Sequence, residues 1–118
     1  MNMEDTLHAL ADPNRRQLLE ILLRGEQPVG VLAKRLPIAQ SGVSRHLRIL
    51  REAGLVRARR DGQRRVYSVR PEPLRELSGW LERYRVLWEQ RLDTFEDVLA
   101  QRLAEQAQET PPFGDRDE

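Results

Sequence analysis

The stretch from Gln40 to Arg70 combines a helical pattern with a run of arginines, and it constrains the fold more than any other part of the chain. Between Arg45 and Arg70 there are nine Arg and two acidic residues, which leaves a local balance of +7. Residues 1–44 carry five bases and five acids, and residues 71–118 carry six bases and twelve acids. The net charge of +1 therefore conceals a basic central segment, which is typical of a nucleic-acid-binding module.

Helical periodicity predicts two short helices in and just before this segment. The first spans Val29–Leu36, where apolar residues recur at i, i+3, i+4 and i+7, and Pro37 marks its end. The second covers residues 41–53, with Ser41 as its N-cap and Ala53-Gly54 as its end. Its apolar face holds Val43, Leu47 and Leu50, and the polar residues Ser41, Ser44, Arg45, Arg48 and Glu52 lie roughly opposite.

The residues before these two helices predict two more. Helical patterns cover Glu4–Leu10 and Arg15–Arg24, and Asp12 before Pro13 fits an N-cap followed by the first helical residue. Gly25 is expected to end the second of these helices. We interpret Gln27-Pro28 as a connector.

An arginine-rich β-hairpin follows the helix of residues 41–53. Residues 56–60 and 64–69 alternate as strands do, and Asp61-Gly62 between them is typical of a tight hairpin turn. Two short helices, a turn and a basic hairpin predict a winged helix-turn-helix, in a fold that is mainly α with a small β-hairpin wing. Such a helix can enter the major groove of double-stranded DNA, and the wing can contact the backbone or a minor groove.

These patterns define a predicted set of DNA-contacting residues. On the helix and its start they are Gln40, Ser41, Ser44, Arg45, His46 and Arg48, and on the wing they are Arg57, Arg59, Arg60, Arg64, Arg65 and Tyr67. For His46, boundary packing and a phosphate contact both stay open. The alternative function is a winged helix used for protein contact, as in an adaptor or an antitoxin-like protein. The balance of +7 argues against it, because protein interfaces deplete charge in their core.

One long helical pattern fills Leu74–Gln108. Large apolar residues step by three or four positions from Leu74 to Leu103, and a stripe of this length needs a partner surface. Ser78-Gly79 is a candidate kink. We predict one domain over residues 1–109, including the N-terminal and C-terminal dimerisation helices, and a disordered tail over residues 110–118.

Several motifs resemble the ArsR-type (arsenical-repressor) family of bacterial regulators. The helix-turn-helix resemblance is carried by VLAKRL at residues 31–36 and QSGVSRHLRILREAGLV at residues 40–56, and that of the wing by DGQRRVY at residues 61–67. ALADPNRR at residues 9–16 resembles the family's entry into its second helix. WLERYR at residues 80–85, WE at 88–89 and RLD at 91–93 are similar to a metal-independent branch whose members often repress their own operon.

The resemblance implies a homodimer that represses transcription by occupying a palindromic operator. It also implies that the first and last helices form the dimer interface. The implied interface residues are Leu7, Leu10, Leu77, Leu81, Tyr84, Trp88, Leu92, Phe95 and Leu99. A ligand box built from the aromatic residues of the last helix is the alternative for part of this set.

The ligands of the family's known metal sites are missing from this chain. Members that sense arsenic use a Cys pair in the helix matching Val29–Leu36, and zinc sensors use His on the last helix. The chain has no Cys, and no His follows His46, so we predict no metal site and no cofactor.

Other functional classes also lack their residues. The sequence shows no Ser/His/acid set, glycine-rich phosphate loop or metal triad, and an enzyme is therefore not expected. The absence of an 18-residue apolar run and of a signal-peptide pattern favours a cytoplasmic protein with no membrane partner. No sequence feature identifies a small-molecule inducer.

Overall fold

The computed structural model describes residues 2–109 and divides them into two compact units, which meet in sequence at Gly79 and Trp80. The elements are α1 (Met3–Leu10), α2 (Pro13–Leu23), β1 (Gln27–Pro28), α3 (Val29–Arg35), α4 (Gln40–Glu52), β2 (Val56–Asp61), β3 (Arg64–Val69) and α5 (Pro71–Glu109). The predicted class, mainly helical with a small β wing and a long C-terminal helix, is confirmed. The predicted tail at residues 110–118 lies outside the described residues.

The two N-terminal helices begin at side-chain caps. Asn2 accepts a hydrogen bond from the Asp5 amide at 2.8 Å and so caps α1. Asp12 accepts from the amides of Asn14 at 2.8 Å and Arg15 at 3.2 Å, with Pro13 as the first helical residue of α2. The predicted N-cap at Asp12 is confirmed, because these amides have no acceptor within the helix itself.

Helices α3 and α4 form the predicted pair, but the start of α4 differs from the prediction. Ala39, not Ser41, is the N-cap, and its carbonyl accepts from the amides of Gly42 at 2.9 Å and Val43 at 3.1 Å. No side chain caps this end. The prediction that Ser41 is the N-cap is wrong, and Ser41 lies instead in the first turn of α4 with its side chain exposed.

The strands form one antiparallel sheet in the order β1-β3-β2. Gln27-Pro28, predicted as a connector, is the short strand β1 and pairs with Tyr67 and Val66 of β3. Two residues are too few for an alternating pattern, so periodicity missed this strand. The hairpin turn is also one residue later than predicted, because Asp61 pairs with Arg64 and the loop is Gly62-Gln63.

The conformation of Gly62 explains this position of the turn. Gly62 has a φ of 65°, whereas no residue other than glycine within residues 2–109 has a positive φ. A positive φ at the first of two loop residues is the pattern of a type II′ turn, in which glycine occupies that position. The twist of such a turn matches that of the flanking strands.

A single core holds the first unit together. Its fully buried large residues come from α2, α3 and α4 and from the turn that follows α4, and they include Leu18, Leu32, Leu47, Leu50 and Leu55. Full burial of each such side chain contributes about 1.5–3 kcal/mol to folding. Leu74, in the first turn of α5, also packs against this core. The core fixes α4 and the wing on a common support.

The second unit consists of α5 residues from Trp80 onward. The helical assignment of α5 continues through the predicted kink at Gly79. All residues from Leu81 to Gln108 are exposed. Within the described chain, none of the apolar side chains from Leu81 to Gln108 is buried.

Candidate nucleic-acid interface

Helix α4 buries one face and exposes the other. Val43, Leu47 and Leu50 are fully buried, because their spacing places them together on the side that faces the core. The opposite face exposes the predicted contact residues Gln40, Ser41, Ser44, Arg45 and Arg48. Hydroxyl, amide and guanidinium groups are the side-chain types that contact phosphate oxygens and base edges.

A groove of about 480 Å³ lies between α4 and the wing, defined as residues Val56–Val69. Its lining includes four arginines, three from α4 and one from β3, together with two serines. The lining residues are Val29, Ser41, Ser44, Arg45, Arg48, Arg51, Arg65 and Tyr67. Arginine presents a planar fork of donors that matches phosphate geometry, and like charges gathered in a cleft strengthen attraction for an anion.

Arg51 is a groove residue that the sequence prediction omitted. It lies in the last turn of α4 and is exposed. The pattern that identifies it is the i, i+3 spacing of Arg45, Arg48 and Arg51, which places all three on neighbouring parts of the helix surface.

The wing arginines fall into two groups. Arg59 donates to the Glu26 carboxylate at 2.5 Å, and Arg64 donates to Asp61 at 3.3 Å. The hydrogen bond and charge of Glu26 raise the pKa of Arg59 above its ordinary value. Arg57, Arg60 and Arg65 are exposed, and the Arg65 guanidinium lies 5.9 Å from the centre of the Tyr67 ring. All five predicted wing arginines are thus at the surface, but two of them already have carboxylate partners.

His46 does not lie on the exposed face of α4 with the other predicted contact residues of this helix. The residue is only 4% exposed. Its Nδ1 lies 3.3 Å from Nη1 of Arg15, and its Nε2 lies 4.0 Å from a carboxylate oxygen of Asp12. These contacts with Arg15 and Asp12 favour boundary packing of His46 over a phosphate contact. The apolar spacing of α4 placed His46 near the edge of the buried face, but no sequence pattern identified Arg15 as its partner.

Tyr67 is also buried, at 6% exposure, so only a small part of its side chain is open to a DNA contact. Its ring belongs to the core cluster and forms part of the groove wall. Arg65 and Tyr67 lie two residues apart on the same face of β3, but Arg65 is closer to the hairpin turn and is exposed, whereas Tyr67 is further along the strand and meets the core. The Arg65 guanidinium lies next to the Tyr67 ring.

Asp12 sits where α1, α2 and α4 meet. Desolvation raises the pKa of its carboxyl group, but the hydrogen bonds from the amides of Arg15 and Asn14 and the electrostatic effects of the nearby His46 and Arg15 side chains outweigh this effect. The pKa of Asp12 therefore lies below its usual value of 3.8. Ionised Asp12 is the form that caps α2.

The second unit carries a stripe of exposed apolar side chains. Six of the predicted interface residues are in it, and all are exposed: Leu81, Tyr84, Trp88, Leu92, Phe95 and Leu99. Trp80 and Tyr84 pack edge to face, with ring centres 4.9 Å apart. Arg85 beside the stripe is bound by Glu82 and Glu89, whose hydrogen bonds and charges raise its pKa.

The three other predicted interface residues belong to the first unit. Leu7 is 39% exposed, and Leu10 and Leu77 are half-buried. Leu10 packs against the core of that unit.

Two further structural findings concern metals and membranes. Within residues 2–109, no three His, Asp or Glu side chains are grouped so that they could hold a metal ion. No helix in the same part of the chain is both long and apolar enough to cross a membrane.

Comparison with known proteins places this geometry in a family. The family model described as bacterial regulatory protein, arsR family, matches residues 12–58. The HTH-type transcriptional regulator Rv2034 of Mycobacterium tuberculosis is 40% identical over 91 residues, which cover 77% of this chain and 82% of that protein. The transcriptional repressor SdpR of Bacillus subtilis is 32% identical over 79 residues, which cover 67% of this chain and 88% of that protein.

A solved structure shows the same similarity in three dimensions. The crystal structure of an ArsR family transcriptional regulator superposes with a TM-score of 0.66 at 34% identity. The match covers 73% of this chain and 94% of that one. Sequence and fold therefore point to the same group of proteins.

Proposed function

The chain belongs to the ArsR family of bacterial regulatory proteins, and from this premise we propose that it is a transcriptional regulator that binds double-stranded DNA. The observation that carries the proposal is the groove between α4 and the wing, where four arginines and two serine hydroxyls converge. In this role α4 is the recognition helix. It lies in the major groove, and the wing follows the adjacent backbone.

The contact residues have two different tasks. Ser44, Arg45 and Arg48, in the middle of the recognition helix, are placed to meet base edges, where arginine pairs well with guanine. Arg51, in the last turn, and the wing arginines Arg57, Arg60 and Arg65 bind phosphates. Phosphate contacts position the protein, whereas base contacts give it sequence preference.

We further propose that the active form is a homodimer that reads a palindromic operator. One recognition helix reads only a few base pairs, and two copies about 34 Å apart would read successive major grooves on one side of the duplex. The exposed stripe of α5 supports a dimer, because a large apolar surface rimmed by charges typically marks an interaction site. Repression of its own operon is part of the proposal and follows the family branch that the α5 motifs resemble.

The decisive experiment is footprinting of the purified protein on the DNA upstream of its own gene. A palindrome with protection related by a dyad is expected, and a reporter driven by that promoter should be repressed by the protein. Protection of a single half-site would contradict the dimer. An absence of sequence-specific protection at low salt would contradict DNA binding and favour the protein-adaptor alternative.

The contribution of the groove is tested by Arg48→Ala, with Arg24→Ala as a matched control on α2. Both side chains are exposed, but only Arg48 lines the groove. We expect Arg48→Ala to weaken operator binding and Arg24→Ala to leave it unchanged. Equal effects of the two variants would show that general charge, and not the groove, carries the affinity.

A further inference from the structure

A buried arginine joins the recognition helix to the N-terminal helices. Arg15 of α2 is only 8% exposed, although its guanidinium is charged. Its Nε donates to the Ala9 carbonyl at 2.6 Å, and its Nη2 donates to the His8 carbonyl at 3.2 Å. These carbonyls belong to the last turn of α1, where a helix satisfies few of its own acceptors, and the His8 carbonyl also accepts from the Ala11 amide at 3.2 Å. Arg15 therefore ends α1 and holds it against α2.

The same guanidinium also reaches the recognition helix. Nη1 of Arg15 lies 3.3 Å from Nδ1 of His46. Because arginine has only donors, Nδ1 must be the acceptor in this hydrogen bond, and the ring proton is then on Nε2. The other ring nitrogen, Nε2, lies 4.0 Å from Oδ1 of Asp12. One buried side chain thus contacts both the end of α1 and the inner face of α4.

We propose that the Arg15–His46 hydrogen bond is a positioning link, through which α1 sets the orientation of the recognition helix and hence its affinity for the operator. The proposal rests on the DNA-binding function proposed above, and it assigns His46 a role in regulating that site without contact to DNA. His46 and Arg45 are neighbours in sequence, so the rotation of α4 that aims His46 at Arg15 also fixes where Arg45 points.

The remaining contacts around α4 do not fix its rotation in the same way. Val43, Leu47 and Leu50 hold the helix against the core by apolar packing, which selects the buried face of α4 but imposes no hydrogen-bond angle. A hydrogen bond weakens steeply when its angle changes, and a charged donor strengthens it. Between α1 and the end of α4 there is an open depression of about 290 Å³, lined by Asp5, His8, Ile49, Glu52 and Ala53. The Arg15–His46 hydrogen bond is therefore a directional contact of α4, whereas an open depression lies between the end of α4 and α1.

Through the Arg15–His46 hydrogen bond, a contact at the dimer interface can change the orientation of the DNA-contacting face of α4. Leu7 on α1 is 39% exposed and belongs to the proposed interface. A partner that shifts α1 would move the carbonyls held by Arg15, and Arg15 would pass that shift to His46. Operator affinity would then depend on how the dimer is assembled, as well as on the two half-sites being joined.

The test compares His46→Leu with His46→Asn, two side chains of similar size. Asparagine keeps an acceptor close to the position of Nδ1, whereas leucine removes it and stays compatible with burial. For His46→Leu we expect operator affinity to fall by up to about 10- to 100-fold, the upper limit that applies if the whole free energy of one hydrogen bond to a charged group serves to hold α4 in its DNA-binding orientation. Affinity for non-operator DNA should change much less, because it depends mainly on the charge of the arginines, which this variant leaves intact. His46→Asn should recover most of the loss of operator affinity.

Three outcomes decide the proposal. Wild-type operator affinity in a folded His46→Leu variant would overturn it. Equal losses on operator and non-operator DNA, together with a lower melting temperature, would show a purely structural role and would also overturn it. If the wild-type protein itself shows no operator preference, then the proposed function fails, and this result is distinct from both.

A second variant keeps the test valid if His46→Leu does not fold. Arg15→Lys retains a buried positive charge that can donate to the carbonyls of α1, but a single ammonium group lacks the planar fork that reaches the carbonyls and the ring together. Arg15→Lys should therefore lower the ratio of operator to non-operator affinity, as His46→Leu is expected to do. An unchanged ratio of operator to non-operator affinity in this variant would overturn the link.

Discussion

Replacing Trp88 by alanine should weaken the proposed dimer by an amount that can be worked out from the exposure of this side chain. Trp88 is 64% exposed in the single chain and lies in the middle of the apolar stripe of α5. Full burial of a large apolar side chain contributes about 1.5–3 kcal/mol, and covering the exposed part of Trp88 then contributes about 1–2 kcal/mol per chain. Both copies together contribute about 2–4 kcal/mol, which corresponds to a dissociation constant raised about 30- to 700-fold.

Sedimentation equilibrium over a range of protein concentrations measures this change directly. Leu23→Ala is the matched control, because Leu23 is 59% exposed but lies on α2, outside the predicted interface. The control should dimerise as the wild type does. Operator affinity of Trp88→Ala should fall with dimerisation, since two linked half-sites bind far more tightly than one. A Trp88→Ala protein that stays dimeric and binds its operator normally would refute the argument and move the interface to other residues, such as Leu7.

Three other variants test the wing, the recognition helix and the cap of α2. Glu26→Gln should release Arg59 for phosphate binding and steepen the salt dependence of binding, by up to about 0.9 per subunit in the logarithmic slope, with the exposed Glu20→Gln as control. Arg45→Ala should cost about 1–3 kcal/mol on the operator and relax sequence preference in a binding-site selection, and an unchanged preference would contradict the assignment of Arg45 to a base contact. Asp12 has a lowered pKa, so its ionised form stabilises the fold above pH 3.8, and this contribution is lost as the pH falls through the lower, folded-state value. Asp12→Asn keeps a cap and should flatten this acid-side loss of stability in urea unfolding at several pH values; an unchanged pH profile would contradict it.

The sequence predicted those elements whose residues repeat with a clear period. The apolar spacing of residues in α4 predicted that helix, and the alternation of residues in the wing predicted its strands. Both patterns arise because each element buries one face on a shared core. The short strand β1 was missed because two residues cannot show alternation. The turn was placed one residue early because Asp61 fits a turn position equally well by composition, whereas strand pairing with Arg64 takes Asp61 into β2.

The candidate site was predictable in its charge but not in its internal contacts. The exposed arginines of α4 and the wing follow from composition and helical angle. The burial of His46 depends on Arg15, which is 31 positions away in sequence, and the pairing of Arg59 depends on Glu26, 33 positions away. Such contacts arise from the packing of α2 and β1 against α4 and the wing. No local pattern in a single sequence contains that information.

The distribution of acids explains how a chain with a net charge of +1 could bind DNA selectively through one surface. Residues 71–118 carry six more acids than bases, so the segment that bears the apolar stripe repels phosphate. Two wing arginines already form ion pairs, Arg59 with Glu26 and Arg64 with Asp61. A phosphate that binds either arginine must displace a carboxylate. Non-specific attraction is thereby reduced at two of the five wing arginines, while Arg45, Arg48, Arg51 and Arg65 stay available in the groove. Affinity should therefore depend more on the fit of the groove to one DNA surface than on total charge, and this balance favours sequence preference over general binding to polyanions.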